Sequence, residues 1–196
     1  ISMTYTPFTQ WIIDSGINQN VLELLLAVMV LATIVSFARY ILGTKSYGIY
    51  APIILAIAYS YTGLRYGLAI TAIVILTTLF SYTILKKIRM HYIARIAVNY
   101  CLLAIFLVIF FIIVGKFGLG LENMPYISGL AVISIAALSD FFIKQYVKKS
   151  FKTSVLILIS TVAIAALGWF VITRDMITDL LLNNLWVVPI LIALNI

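Results

Sequence analysis

The sequence predicts an all-α, polytopic helical membrane protein with six complete transmembrane helices and a truncated seventh. Three observations lead there. Hydrophobic residues make up 64% of the 196-residue chain, charged residues only 10%, and the mean hydropathy is +1.18, whereas soluble domains average about 45–50% apolar and about 25% charged. Charges divide the chain into seven charge-free runs of 15 to 21 residues, at 24–38, 46–64, 66–85, 96–115, 123–139, 153–173 and 180–196, close to the roughly 20 residues that cross a bilayer core as a helix. The basic residues cluster in alternate connections. A soluble globule could not cover this much apolar surface, so a secreted domain, a cytosolic enzyme, a disordered chain and a disulfide scaffold are excluded. Cys101 is the one cysteine and cannot form an internal bridge.

Taken in order, residues 1–20 are expected to form an extracytoplasmic lead-in; they have no basic region followed by an apolar core, so no signal peptide is visible in them. The chain starts at Ile1, and the expectation is a membrane part of a larger protein. Trp11-Ile12-Ile13 reads as an interfacial anchor. The transmembrane domain, 21–196, holds helices at about 21–42, 47–64, 66–85, 95–115, 124–143, 153–173 and 182–196. The first extends its short run because Glu23 and Arg39 reach the headgroups. The last stops at Ile196 without a polar exit. Helices are required because each segment then satisfies its own backbone in lipid; the runs are too long for barrel strands and do not alternate.

Ten of the thirteen basic residues fall in three connections: Arg39 and Lys45; Lys86, Lys87, Arg89 and Arg95; Lys144, Lys148, Lys149 and Lys152. Arg65, Lys116 and Arg174 occupy the others. Positive loops stay on the cytoplasmic side, so the N-terminus is expected outside, in a bacterial cytoplasmic membrane, and anything before residue 1 is extracytoplasmic. The +7 charge is a topology signal with a generic contribution from anionic lipid. Nucleic acid is not expected as a partner; the bilayer is.

Two stretches resemble each other. Ile41-Leu42-Gly43-Thr44-Lys45-Ser46-Tyr47-Gly48 leads to Pro52, and Ile113-Val114-Gly115-Lys116-Phe117-Gly118-Leu119-Gly120 leads to Pro125. Each reads helix end, glycine, lysine, second glycine, then a proline that opens the next helix. Glycine ends a helix at low cost and proline is tolerated in a first turn. With three helices per unit, the units run in opposite directions, the pattern of an inverted 3+3 repeat. Helix N-termini at such hairpins favour anions. The alternative is that glycine and proline simply punctuate the hairpins.

Catalytic constellations are absent. His91 is the only histidine and belongs to the basic loop; no cluster of three ligands is visible, so no metal or cofactor is expected, and the domain reads as non-enzymatic. Cys101 reads as a small packing residue. Asp140 is the acid best placed to matter, near the cytoplasmic end of the fifth helix, with Lys144 one turn on. It is either a self-neutralising pair with Lys144 or a functional intramembrane acid. Arg39 and Arg95 sit at helix ends where snorkelling explains them. Asn99 and Tyr100 are placed to hydrogen-bond between helices. Arg174, Asp175 and Asp179 form a short outer connection.

The segment Ala38 to Tyr59, with Arg39, Gly43, Gly48 and Pro52, followed by Thr62-Gly63-Leu64 and Gly67, resembles the bacterial seven-transmembrane domain usually fused to an inactive transglutaminase-like domain. Arg95-Ile96-Ala97-Val98 and Met124-Pro125 extend the resemblance, which covers about residues 24–196. Where that family tends to have Glu-Arg and an acidic stretch after the fifth helix, this chain has Asp140-Phe141 and then Lys148 and Lys149; the family's final Gly-Arg-Tyr-Thr-Gly segment would lie beyond Ile196. The resemblance implies an extracytoplasmic transglutaminase-like domain and a neighbouring ATP-grasp, glutamate-ligase-like enzyme. The glycine–proline stretches are more distantly similar to the small membrane subunit of poly-gamma-glutamate capsule synthases. The resulting expectation is a membrane scaffold that anchors the external domain and handles or exports a polyamino-acid product. In it, Arg39, Gly43, Gly48, Pro52, Gly63, Gly67, Gly115, Gly118, Pro125 and Asp140 line a path or hold its shape, and Lys86, Lys87, Arg89, Arg95, Lys144, Lys148, Lys149 and Lys152 contact a cytoplasmic partner. A homo-oligomer is also compatible. The rival is a small-solute secondary transporter built on the inverted repeat; a third reading is a purely structural anchor.

Overall fold

A computed structural model describes residues 10–11, 14–16, 18–41, 43, 45–85, 91–117, 128–148, 151–173, 184 and 187–193. Their helices are α1 (Gln19–Tyr40), α2 (Tyr50–Thr62), α3 (Leu64–Leu85), α4 (Tyr92–Phe117), α5 (Gly129–Ala136), α6 (Leu138–Lys148), α7 (Phe151–Ile172) and α8 (Val187–Ala193). Five stretches are long and apolar enough to cross a membrane: Val21–Tyr40, Leu64–Leu85, Ile93–Lys116, Gly129–Val147 and Phe151–Ile172. The all-α polytopic architecture therefore holds. Two of the seven expected spans are shorter than the sequence implies among the described residues: α2 has 13 residues and α8 has 7.

The short helix α2 is the axis of the bundle. At 1.5 Å per residue its 13 residues rise only about 20 Å, against a hydrocarbon core of about 30 Å. Most of its surface is covered by protein: Ala51, Pro52, Ile53, Leu55, Ala56, Ala58 and Tyr59 are all buried, while Tyr50, Ile54 and Tyr61 are exposed. It packs most closely on α7 and α5, with α3 and α1 completing the shell. Glycine permits the tightest approach. A Cβ on Gly168 of α7 would overlap the Leu31 side chain of α1 and stand 3.2 Å from the Ala56 Cβ of α2. Between apolar helices in lipid, association depends on this kind of close packing by small residues.

Helix ends follow elementary chemistry. Arg39 lies in the last turn of α1 and Lys116 in the last turn of α4, where cations complement the dipole. Pro52 falls in the first turn of α2, where its missing N–H costs nothing. Gly63 ends α2 with φ +77°, its N–H bonded to the Tyr59 carbonyl at 2.8 Å, and α3 starts at the next residue. The boundary expected at Arg65 thus falls two residues earlier in the structure, and Arg65 belongs to the first turn of α3. The reversal in one residue needs a backbone conformation that only glycine adopts readily.

The fifth span departs from expectation in two ways. It is broken at Ala137 into α5 and α6, and it continues to Lys148, five residues past the expected end. α4 likewise runs through Gly115 to Phe117, so Gly115 does not end its helix as expected; its φ is not positive, unlike those of Gly43 (+62°) and Gly48 (+70°). α4 packs chiefly on α3 and turns Ile105, Val108, Ile109 and Ile112 outward. Cys101 is exposed on α4 rather than packed between helices. α8 lies against α1, where Val187, Val188 and Leu191 cover Leu26. Lys86, Lys87, Arg89, Gly118, Pro125, Lys149, Arg174, Asp175 and Asp179 lie outside the described residues.

Candidate functional site

Three features bear on function, beginning with the connection between α1 and α2. Gly43 and Gly48 both take positive φ, and residues 45–48 are pinned to α7. The Tyr47 N–H donates to Thr161 Oγ1 at 3.1 Å, the Tyr47 hydroxyl donates to the Ser154 carbonyl at 2.9 Å, and Ser160 Oγ donates to the Lys45 carbonyl. Tyr47 is buried, so its hydroxyl has to find its partner within the protein. Sequence reasoning singled out Gly43, Gly48 and Pro52 here. It missed Ser154, Ser160 and Thr161, whose signal is a set of hydroxyls in the first half of an otherwise apolar helix.

The second feature is the α2–α3 turn. Tyr59 is fully buried and its hydroxyl is hydrogen-bonded to Thr71 Oγ1 at 2.9 Å. Thr71 donates in turn to the Gly67 carbonyl at 2.8 Å, and Thr62 donates to the Ala58 carbonyl at 3.0 Å. A Cβ on Gly67 would overlap the Tyr59 ring and come within 2.9 Å of Thr62 Oγ1. Gly63 therefore supplies the reversal, and Gly67 supplies the space into which the Tyr59 ring folds. The Tyr59, Thr62 and Thr71 hydroxyls are all satisfied within the turn, as apolar surroundings demand.

The third lies where α3, α4 and α6 meet. Asn99 Nδ2 donates to Ser139 Oγ at 3.4 Å, and the Tyr100 hydroxyl donates to Asp140 Oδ2 at 3.2 Å. Both bonds join α4 to α6, as expected of Asn99 and Tyr100. The rings of Tyr82 and Tyr146, 4.9 Å apart and perpendicular, join α3 to α6 at the same end. Among the described residues, five buried polar atoms have no partner: Ser81 Oγ, Arg95 Nε, Asn99 Oδ1 and Asp140 Oδ1 on α3, α4 and α6, and Gln145 Oε1 on α6, whose residue sits with Arg39, Lys45 and Ile157. Asn99 is 1% exposed and Ser81 is 1% exposed, so each faces protein and not lipid.

Asp140 is not where the sequence puts it. It lies eight residues before Lys148, the last residue of α6, about 12 Å into the span. Nor does it pair with Lys144: Lys144 Nζ lies 6.0 Å from the centroid of the Phe141 ring, and Asp140 takes the Tyr100 hydroxyl. The span tightens at Ala137, where the Asp140 N–H bonds the Ala137 carbonyl at 3.2 Å, and Asp140 falls in the first turn of α6. Ala137 gives no glycine or proline signal, so neither the break nor the depth of Asp140 was visible in the sequence.

The remaining candidates distribute by end. Arg39, Lys45, Arg95, Lys144 and Lys152 share one end of the bundle, because α1 and α6 arrive there and α4 and α7 depart from it. Arg65 and Lys116 are at the other. Arg39, Lys45, Lys144 and Lys152 are exposed, while Arg95 is half-buried. Gly115 is exposed in the last turn of α4, with open space where a Cβ would stand. Among the described residues, no three of His, Cys, Asp and Glu lie together as metal ligands would.

Residues 13–196 match a family described as seven transmembrane helices usually fused to an inactive transglutaminase. Comparison with curated proteins gave no match, and neither did comparison with solved structures.

Proposed function

The chain belongs to the family of seven-transmembrane domains usually fused to an inactive transglutaminase, and from that premise we propose that it is the membrane anchor and scaffold of a peptide- or polyamino-acid-handling system. The domain is multi-pass, bacterial and non-catalytic, and the domain its family usually carries is itself inactive. In the proposal, the external transglutaminase-like domain is held outside, the basic end faces the cytoplasm, and a glutamate-ligase-like enzyme docks on that end. Lys86, Lys87, Arg89, Arg95, Lys144, Lys148, Lys149 and Lys152 would meet the ligase or its acidic product. The Gly43–Pro52 and Gly115–Pro125 hairpins, as halves of an inverted repeat, would border any outward path. The observation that carries this reading is the family match over residues 13–196.

The test is gentle isolation of the native protein from its own membrane and identification of what copurifies by mass spectrometry. A ligase-like enzyme, or an attached external domain with a polyamino-acid product, is the expected result. A clean homo-oligomer with neither would overturn it. Exchange of Lys148 and Lys149 for Glu should abolish copurification; unchanged partner recovery and export would remove the basic loop from the proposal.

A second reading, a small-solute secondary transporter, is favoured by one observation. Asp140 lies within a span with Oδ1 unpartnered, beside the unpartnered Asn99 Oδ1, and such an acid is a natural coupling site. Uptake of labelled solute into vesicles, lost in Asp140→Asn, would select it over the scaffold.

A further inference from the structure

We propose that the basic end of the bundle carries a phosphate-binding cleft whose occupant is the headgroup of an anionic phospholipid. The cleft has a volume of about 590 Å³ and is lined by Arg39, Tyr40, Lys45, Ser46, Gly48, Gln145 and Ile157. It is assembled from the end of α1, the connection to α2, α6 and α7. The inference stands apart from the scaffold reading, since it concerns no partner enzyme and no external domain.

Charge comes first. Arg39 and Lys45 bring two cations to one concavity, and among the described residues no carboxylate lines it. An Arg fork and a Lys point charge are the pair that phosphate recognition uses. Rigidity comes next. Lys45 is an exposed lysine on a connection, yet its backbone is fixed: Ser160 Oγ donates to its carbonyl, and Tyr47 is bonded twice to α7. Ser46 Oγ donates to the Gly48 carbonyl at 3.0 Å, which holds the turn closed. A mobile surface lysine would lose freedom on binding; this one has lost part of it already.

Gln145 adds an uncharged amide residue to the lining. Location selects the lipid source over a dissolved one. The cleft opens at the end of α1, a helix apolar over 20 residues up to Tyr40, where headgroups lie, and it reaches inward along α7, because Ser160, which holds the Lys45 carbonyl, is nine residues past Phe151. Tyr40, 87% exposed at the rim, and Ile157 give its wall apolar surface.

The experiment uses the purified protein in neutral detergent, exposed to phosphatidylglycerol or phosphatidylcholine and read by native mass spectrometry. Phosphatidylglycerol should be retained and phosphatidylcholine should not. Retention should fall about tenfold or more in the Arg39→Gln/Lys45→Gln double variant, given about 1 kcal/mol per basic residue at an anionic surface. It should survive Lys116→Gln at the opposite end. Should the double variant fail to fold, Tyr40→Glu decides, because an acid at this exposed lining position must repel the phosphate while leaving both cations and the bonds of the turn in place. Equal retention by the wild type and these cleft variants, or equal binding of the two lipids, overturns the proposal. Displacement of the lipid by glycerol 3-phosphate overturns the lipid assignment in favour of a dissolved phosphate ester. Loss of partner copurification without loss of lipid would bear on the scaffold reading alone.

Discussion

At the α2–α3 turn, Tyr59, Thr62 and Thr71 all have hydrogen-bond partners inside the turn. Where α3, α4 and α6 meet, Ser81, Arg95, Asn99 and Asp140 each keep a buried atom without one. Both regions lie in one bundle, are built from similar apolar helices and contain similar polar residues. The turn spends its polar groups on shape: they hold a ring against a glycine. The junction leaves polar capacity over, and in apolar surroundings that costs stability unless water or a ligand takes it up. The difference separates a structural device from a candidate site better than residue type does, since Thr71 and Asn99 would look equally polar in a sequence.

The largest expected effect tests the structural side. Gly67→Val pushes branched carbon into the buried Tyr59 ring and should lower stability by about 3 kcal/mol, the upper range for overpacking, read as a drop in unfolding midpoint in detergent. The same substitution in a Tyr59→Ala background should cost far less, because the obstructing ring is gone. Equal costs in both backgrounds would mean that Gly67 is not there for Tyr59.

The junction should respond with the opposite sign. Asp140→Asn keeps an acceptor for the Tyr100 hydroxyl and removes a charge from within a span. Charged residues near a span centre cost about 2.5–3.5 kcal/mol for insertion, so a gain of about 2 kcal/mol in stability is expected. A loss instead would show that the carboxylate is fully compensated and that the junction resembles the turn. Stabilisation coupled to lost transport or lost partner binding would mark a site held at the expense of stability.

Between these lies the connection pinned to α7. Tyr47→Phe removes the bond to the Ser154 carbonyl and should cost about 1 kcal/mol. It should also loosen the cleft formed by Arg39 and Lys45, visible as faster amide exchange over residues 45–48. Unchanged exchange would mean that the backbone bond from Tyr47 to Thr161 is enough to hold the turn.

Much of this was legible beforehand, and the failures have physical causes. Charge-free runs located the helices because a charge in lipid is costly whatever the fold. The sorting of Arg39, Lys45, Arg95, Lys144 and Lys152 onto one end followed from helices of alternating direction. What hydropathy cannot register is depth. The run 46–64 is free of charge throughout, yet the backbone turns at Gly48 and again at Gly63, leaving a helix of 13 residues. Protein covers most of α2, and apolarity is the same against protein or lipid. Nor does a pattern show which of two polar residues 40 positions apart will meet. Asn99 and Tyr100 were placed as interhelical bonders, but Ser139 and Asp140 became their partners only once Ala137 broke the fifth span without any glycine or proline to announce it.

The glycine–lysine–glycine stretches give the finest version of the comparison, because the sequence treats them as equivalent. In the first, Gly43 has φ +62°, a conformation that costs an L-residue about 1–2 kcal/mol. In the second, Gly115 is an ordinary residue of α4, and a Cβ there would meet nothing within 4 Å. Gly43→Ala should therefore destabilise by about 1 kcal/mol, while Gly115→Ala in the last turn of α4 should stabilise by about 0.5 kcal/mol, the lower end of the gain from removing glycine from a helix. Opposite signs in paired unfolding measurements would show that the two glycines do different work, one turning the chain and one merely continuing a helix. Equal losses would instead mean that Gly115 is needed as Gly43 is, and the inverted repeat would gain its first energetic support.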